Sequence, residues 1–178
     1  MPAWFADLWS ADRARQNAAY ESAMTASRDT AVPWAYDVWD EVVGRLRDPD
    51  NHSRAIAAQL LCNLAAHDTA GRVVADLDAL IEVTRDKRFV TARHSLMALW
   101  RIGLAGDGQR RTVVAALDRR YRGSFEEKNG TLIRNDIVES LRKLHDSVAD
   151  PQIEAAARAL IEAEPDQKYR RKYAAHWR

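Results

Sequence analysis

Three stretches of this chain repeat one register. Arg54, Ala57, Leu60, Leu61 and Leu64 form the first. Arg93, Leu96, Leu99, Trp100 and Gly103 form the second, and Arg134, Ile137, Ser140, Leu141 and Leu144 the third. The arginines lie 39 residues apart (54 to 93) and then 41 (93 to 134). A two-helix unit of roughly 40 residues cannot bury its own apolar stripe, so neighbouring units must stack to make one core. The repeat therefore predicts an all-α fold, an α-solenoid (superhelix) of antiparallel helix pairs.

The rest of the chain fits that plan. Only 7 Gly and 5 Pro interrupt 178 residues. Trp34, Val38, Trp39, Val42, Val43 and Leu46 fall on one helical stripe after Pro33, and Val73, Val74, Leu77, Leu80 and Ile81 on another. Val113, Val114, Leu117 and Tyr121 form a further stripe, and Ile153, Ala157, Leu160 and Ile161 follow the cap-and-proline pair Asp150-Pro151. No segment alternates as a strand does. A single domain, 1–178, is expected: a cap over 1–32 starting its helix after Ser10, pairs over 33–66, 71–104 and 109–145, and a degenerate pair over 150–178. The cap's Trp4, Phe5, Leu8 and Trp9 are spaced to cover an exposed core end. The helix from Phe89 to Leu104, apolar almost all round, is expected to be the most buried. Gly44 and Gly103, inside helices, point to close helix approach or a bend.

The turn between the first pair is the most specific motif. Arg45-Leu46-Arg47-Asp48-Pro49-Asp50-Asn51-His52-Ser53-Arg54-Ala55-Ile56-Ala57 resembles the HEAT-repeat consensus, in which an Asp-Pro-Asp turn joins helix A to a helix B opening with an apolar residue and Arg. Ser53 replaces the apolar residue. The second copy keeps Asp86 and Arg93 without the proline; the third has Gly123 in place of the aspartate. The resemblance, over roughly 33–144, implies a fold more than an activity, because helical repeats serve many functions. It also implies that Arg54, Arg93 and Arg134 form a row pairing with turn aspartates such as Asp48 and Asp86. A phosphate-binding row is the alternative. The structural ladder explains arginine and aspartate together and takes precedence.

Two basic clusters bear on partners. Lys168-Tyr169-Arg170-Arg171-Lys172-Tyr173-Ala174-Ala175-His176-Trp177-Arg178 interleaves aromatics at i, i+4, i+8 with cations. Arg170, Arg171, Lys172, Tyr173 and Trp177 are thus the candidate binding residues, in a pattern that suits phosphate and base contact. The competing reading is that the rings seal the last repeat and the cations favour a helix C-terminus. Arg119-Arg120-Tyr121-Arg122 is read as a solvated helix end, and Glu126-Glu127 and Asp76/Asp78 as solvated acids. Trp34, Trp39 and Trp100 are assigned to core; Trp4, Trp9 and Trp177 to caps.

Catalytic and metal signatures are missing. The histidines (52, 67, 94, 145, 176) form no i, i+4 pair with one another or with Cys62, so no metal and no cofactor is expected. Cys62, the only cysteine, sits among leucines and reads as a buried inert thiol. It calls for no oxidising compartment. No apolar run approaches the roughly 20 residues of a membrane span, and the first residues lack a signal peptide's pattern. A soluble, cytoplasmic protein with no membrane partner is expected. With 27 Lys+Arg against 26 Asp+Glu the net charge is +1, without the basic bias of a nucleic-acid binder. The leading expectation is a non-enzymatic HEAT-like scaffold or adaptor that binds protein through its concave face. A nucleic-acid-binding protein similar to helical-repeat alkylpurine DNA glycosylases, using the basic C-terminal helix, is the alternative; no catalytic residue of that family maps here. Self-association into a homo-oligomer through the aromatic ends is a third.

Overall fold

The computed structural model describes residues 1–178 and is all-helical, with no strand. Its elements are α1 (Arg13–Ala26), α2 (Ala35–Arg45), α3 (Asn51–Leu64), α4 (Arg72–Val83), α5 (Phe89–Leu96), α6 (Asp107–Arg122), α7 (Gly130–Val148), α8 (Pro151–Ala163) and α9 (Gln167–Ala174). Single 3-10 stretches occupy Ala6–Trp9, Ala65–His67, Leu99–Leu104 and Ala175–Trp177. The chain divides into two compact units, Met1–Ala98 and Leu99–Arg178, and the division falls inside the expected pair over 71–104.

In the first unit α3 is the hub. It packs against α1, α2, α4 and α5, and buries Ile56, Ala57, Ala58, Leu60, Leu61, Cys62 and Leu64. Its start follows from the turn: Pro49 donates no amide proton, and the Asp50 carboxylate caps the helix by accepting from the Ser53 amide at 3.0 Å. α2 and α4 are tied by side chains. Trp39, fully buried, donates from its indole Nε1 to Asp76 at 2.8 Å, and Arg72 pairs with Asp40 while lying over the Trp39 ring. Asp76 is therefore a structural acceptor rather than a solvated acid. The first 3-10 stretch packs on α1 and α3, with Phe5 and Leu8 buried and Trp4 edge-on to Trp34. Trp4, Trp9, Trp34 and Trp100 are only half-buried. α1 starts two residues later than expected: Asp12 is the cap, accepting from the amides of Ala14 and Arg15, and Ser10 instead accepts from the Asp12 amide.

The expected helix from Phe89 to Leu104 is not continuous. α5 ends at Leu96, the Ala98 amide bonds back to Ser95, and a 3-10 stretch carries on from Leu99. Three residues per turn put Leu99 and Ile102 on one eclipsed row, and both are buried. Met97 and Trp100 are half-buried and Leu104 is 40% exposed, so this stretch is not buried all round.

In the second unit α7 is the hub, packing on the Leu99–Leu104 turn, α6, α8 and α9. Its Ile133, Ile137, Val138, Leu141 and Leu144 are buried. Gly103 sits against Leu144: a Cβ there would lie 2.7 Å from a Leu144 methyl. Gly44 in α2 has open space around it, so close approach does not explain it. Gly130, the first residue of α7, rests on the Ser124 carbonyl, which a Cβ would meet at 2.0 Å.

Candidate functional site

Two of the three arginines of the repeated register, Arg54 and Arg134, hold turns together. Arg54 donates from Nε and Nη2 to the two carboxylate oxygens of Asp86, at 2.5 and 3.0 Å, and from Nη1 to the Asp48 and Pro49 carbonyls. It thereby links the α2–α3 turn to the α4–α5 turn. Burial pushes the Asp86 carboxyl up, but the Arg54 guanidinium and the Arg88 amide outweigh it and hold it below the usual carboxylate range. The Asp48 carboxylate does not meet Arg54; it accepts from Arg45 at 2.7 Å and from the Asp50 amide. Asp50 accepts a two-pronged bond from Arg13, whose hydrogen bonds outweigh desolvation and hold the carboxyl well below its ordinary range.

Arg93 lies over the Phe89 ring at 5.9 Å. Arg134 pairs with Glu164 at 2.7 Å, both almost fully buried, and stacks on Phe125 at 4.3 Å. Glu164 was not foreseeable from a turn aspartate, because Gly123 stands there. Spacing held the signal: Asp86 follows Arg54 by 32 residues and Glu164 follows Arg134 by 30, each just before the next helix of its unit.

The C-terminal candidates divide. Tyr173 is fully buried and donates to the Thr131 carbonyl at 2.8 Å; burial pushes its phenol up. Trp177 is buried, donates to the Val138 carbonyl, and lies against His145. Neither ring is open for stacking on a base. Arg170 donates twice to the Glu164 carbonyl. Arg171 and Lys172 are exposed. In the second basic cluster Arg120 is fully buried and so is not a solvated charge; it makes a two-pronged pair, at 2.7 and 2.8 Å, with Glu127, whose side chain stays partly exposed. Arg122 pairs with Asp118, and Arg119 is exposed.

A different surface gathers uncharged polar side chains, most of them hydrogen-bonded to one another or to the backbone. A groove of about 240 Å³ crosses α1, α3 and α5 in the first unit, lined by Gln16, Asn17 and Tyr20, by Asn51, His52, Ala55, Ile56 and Gln59, and by Val90, Thr91 and His94. Hydrogen bonds knit its floor: Tyr20 to Gln59 at 3.0 Å and Asn51 to Thr91 at 3.2 Å. Asn17, His52 and His94 are exposed, and Val90 is 66% exposed. The lining holds no carboxylate, ammonium or guanidinium.

A larger groove of about 360 Å³ lies beside the Arg54–Asp86 pair, with Arg47, Asp78 and Glu82 among its walls. Arg54 and Asp86 there satisfy each other, and Glu82 pairs with Arg85. The sequence offered no motif for the neutral groove. It did hold an interval: Tyr20 and Gln59 are 39 residues apart, and Asn51 and Thr91 are 40. No cluster of three His, Cys, Asp or Glu side chains is placed to hold a metal ion, and no helix is long and apolar enough to cross a membrane. No protein-family model matches the chain, and no curated protein matches it in sequence.

Proposed function

We propose that this chain is a HEAT-like helical-repeat protein, a scaffold or adaptor that binds a protein partner on the surface formed by α1, α3 and α5. The observation that carries the reading is the one-period hydrogen bond. Tyr20–Gln59 joins α1 to α3 at 39 residues, and Asn51–Thr91 joins α3 to α5 at 40. In the second unit Tyr173–Thr131, His176–Asn135 and Trp177–Val138 join the C-terminal segment to α7 at 42, 41 and 39. Side-by-side stacking of residues one period apart is what a solenoid requires. Such proteins use the face so formed for binding, and here that face carries the neutral groove and exposed Val90. A cytoplasmic setting accompanies the reading, supported by the single buried thiol of Cys62.

The nucleic-acid reading has less support, because Tyr173, Trp177 and Arg170 are engaged within their own unit. One comparison separates the two. Partners captured by the wild-type chain are identified, then tested against Asn17→Ala/Val90→Asp and against Arg171→Ala/Lys172→Ala. Loss in the groove variant alone supports the proposal. A salt-dependent shift of labelled DNA that disappears in Arg170→Ala/Arg171→Ala would transfer the function to the C-terminal helix.

A further inference from the structure

We infer that the outward side of α9, continued by the 3-10 turn after it, is a docking surface for a short acidic protein segment, a run of Asp or Glu side chains. This surface belongs to the second unit and the groove to the first. It goes beyond the reading above by giving the chain a second surface for a second partner.

Charge in this chain is segregated. Residues 166–178 hold five Lys or Arg and one acid, Asp166, a net of +4, whereas residues 1–165 hold 22 against 25, a net of −3. Helical register lines the cations up. Lys168, Arg171, Lys172 and Ala175 fall at i, i+3, i+4 and i+7, one side of α9, and all are exposed. The stretch Ala175–Trp177 runs at three residues per turn and keeps Arg178, also exposed, in line with Ala175. Tyr173 and Trp177 take the opposite side and are buried, bonded to α7 carbonyls. The row of four cations is about 17 Å long, at about 1.5 Å per α-helical residue and 2.0 Å per 3-10 residue. None of the four has an ion pair or a side-chain hydrogen bond; Lys168 only lies over the Tyr169 ring at 5.6 Å. The nearby acids are taken. Glu164 is buried on Arg134, Asp166 caps the Lys168 amide, and Glu162 faces Arg170 at 3.8 Å. On α7 and α8, Asp146, Glu139 and Glu154 pair with Arg142, Lys143 and Arg158.

An unneutralised row of cations is complementary to carboxylates or phosphates. The rest of the chain decides between them. A nucleic-acid duplex, with one charge per about 1.7 Å, or an anionic membrane plane reaches past the row onto a chain whose remaining net charge is −3, and a Debye length of about 8–10 Å transmits that repulsion. With Tyr173 and Trp177 turned inward, neither ring can stack on a base or enter a bilayer interface. A short acidic segment stops where the row stops. Carboxylates on alternate residues of an extended segment recur at about 6.6 Å, so about three or four of them meet the row.

The test is fluorescence anisotropy of the full-length chain with a labelled peptide alternating Glu and Ser over about ten residues, at about 50 and 200 mM salt. The expected result is binding at the lower salt that weakens at the higher, and none by the Gln-Ser counterpart. Arg171→Glu/Lys172→Glu should lower affinity about tenfold, and Arg171→Lys/Lys172→Arg should keep it. Both sites are exposed, so the fold stays intact, which circular dichroism checks. Amide 15N shifts should fall on α9, and Asn17→Ala/Val90→Asp should leave the affinity unchanged. No binding at the lower salt, equal binding of the Gln-Ser peptide, indifference to charge reversal, or loss in the groove variant each overturn the inference. Tighter binding of a short DNA duplex or of phosphatidylserine vesicles than of the peptide also overturns it and assigns the row to that polyanion. The partner-capture comparison decides the groove separately.

Discussion

Single residues in this protein carry opposite kinds of polar burial. Asp86 is satisfied: its carboxyl is held low by Arg54 and the Arg88 amide against the opposing push of burial. A carboxyl with a depressed pKa in the folded state binds fewer protons there than in the unfolded chain, so its contribution is present above the unfolded value of about 4 and is lost as pH falls through the folded one. Asp86→Asn should therefore be less stable than wild type in urea unfolding at pH 7, and the gap should shrink steadily as pH falls below about 4. A gap independent of pH would mean that the loss is one of packing. Tyr121 is the contrary case, buried with a hydroxyl that has no hydrogen-bond partner. Burial and the nearby Glu164 push its phenol up, keeping the proton in place. Leaving a buried hydroxyl unmatched costs about 1–3 kcal/mol, so Tyr121→Phe should be neutral or up to about 1 kcal/mol more stable. A lower melting temperature for Tyr121→Phe would show that the hydroxyl has a partner in solution.

At the scale of elements, the two in-helix glycines look alike in sequence and differ in space. Gly44 faces open space near the end of α2, and alanine there restricts the unfolded chain and favours helix; Gly44→Ala should stabilise by about 0.5–1 kcal/mol. Gly103 lies where a Cβ would press on Leu144, which is fully buried and has little room to turn. Gly103→Ala should destabilise by about 1–3 kcal/mol, as overpacking does. Chemical denaturation of both variants checks the contrast in sign. The same pair shows what the sequence can reveal. The α2–α3 turn was legible because Pro49 and the Asp50 cap act through local backbone chemistry. The break after Leu96 was not, because Leu96, Leu99 and Ile102 are three apart and satisfy α and 3-10 periodicity equally. Nor was the Arg120–Glu127 pair, since charges at a helix end read as solvated until the loop between them is seen to fold back. The neutral groove was hidden for a further reason: its walls come from three helices, and no local motif marks residues that become neighbours only after a full period.

For the whole molecule, charge separates the candidate partner classes. The net charge is +1, and two of the three arginines of the repeated register are turned toward carboxylates, Arg54 on Asp86 and Arg134 on Glu164. A nucleic-acid partner must be held through released counterions. A protein making 6–10 phosphate contacts loses about 10³–10⁵ in affinity between 50 and 200 mM salt. A protein partner seated on the groove across α1, α3 and α5, whose lining holds no Lys, Arg, Asp or Glu, releases few such counterions. Exposed charges outside the groove are screened over a Debye length of about 10 Å at 0.1 M. Affinity for the captured protein partner should then change by less than about threefold over the same salt range, measured by titration calorimetry. A steep linear fall of log affinity with log salt would place the contact on Arg171, Lys172 and the other exposed cations instead, and would remove the groove from the mechanism.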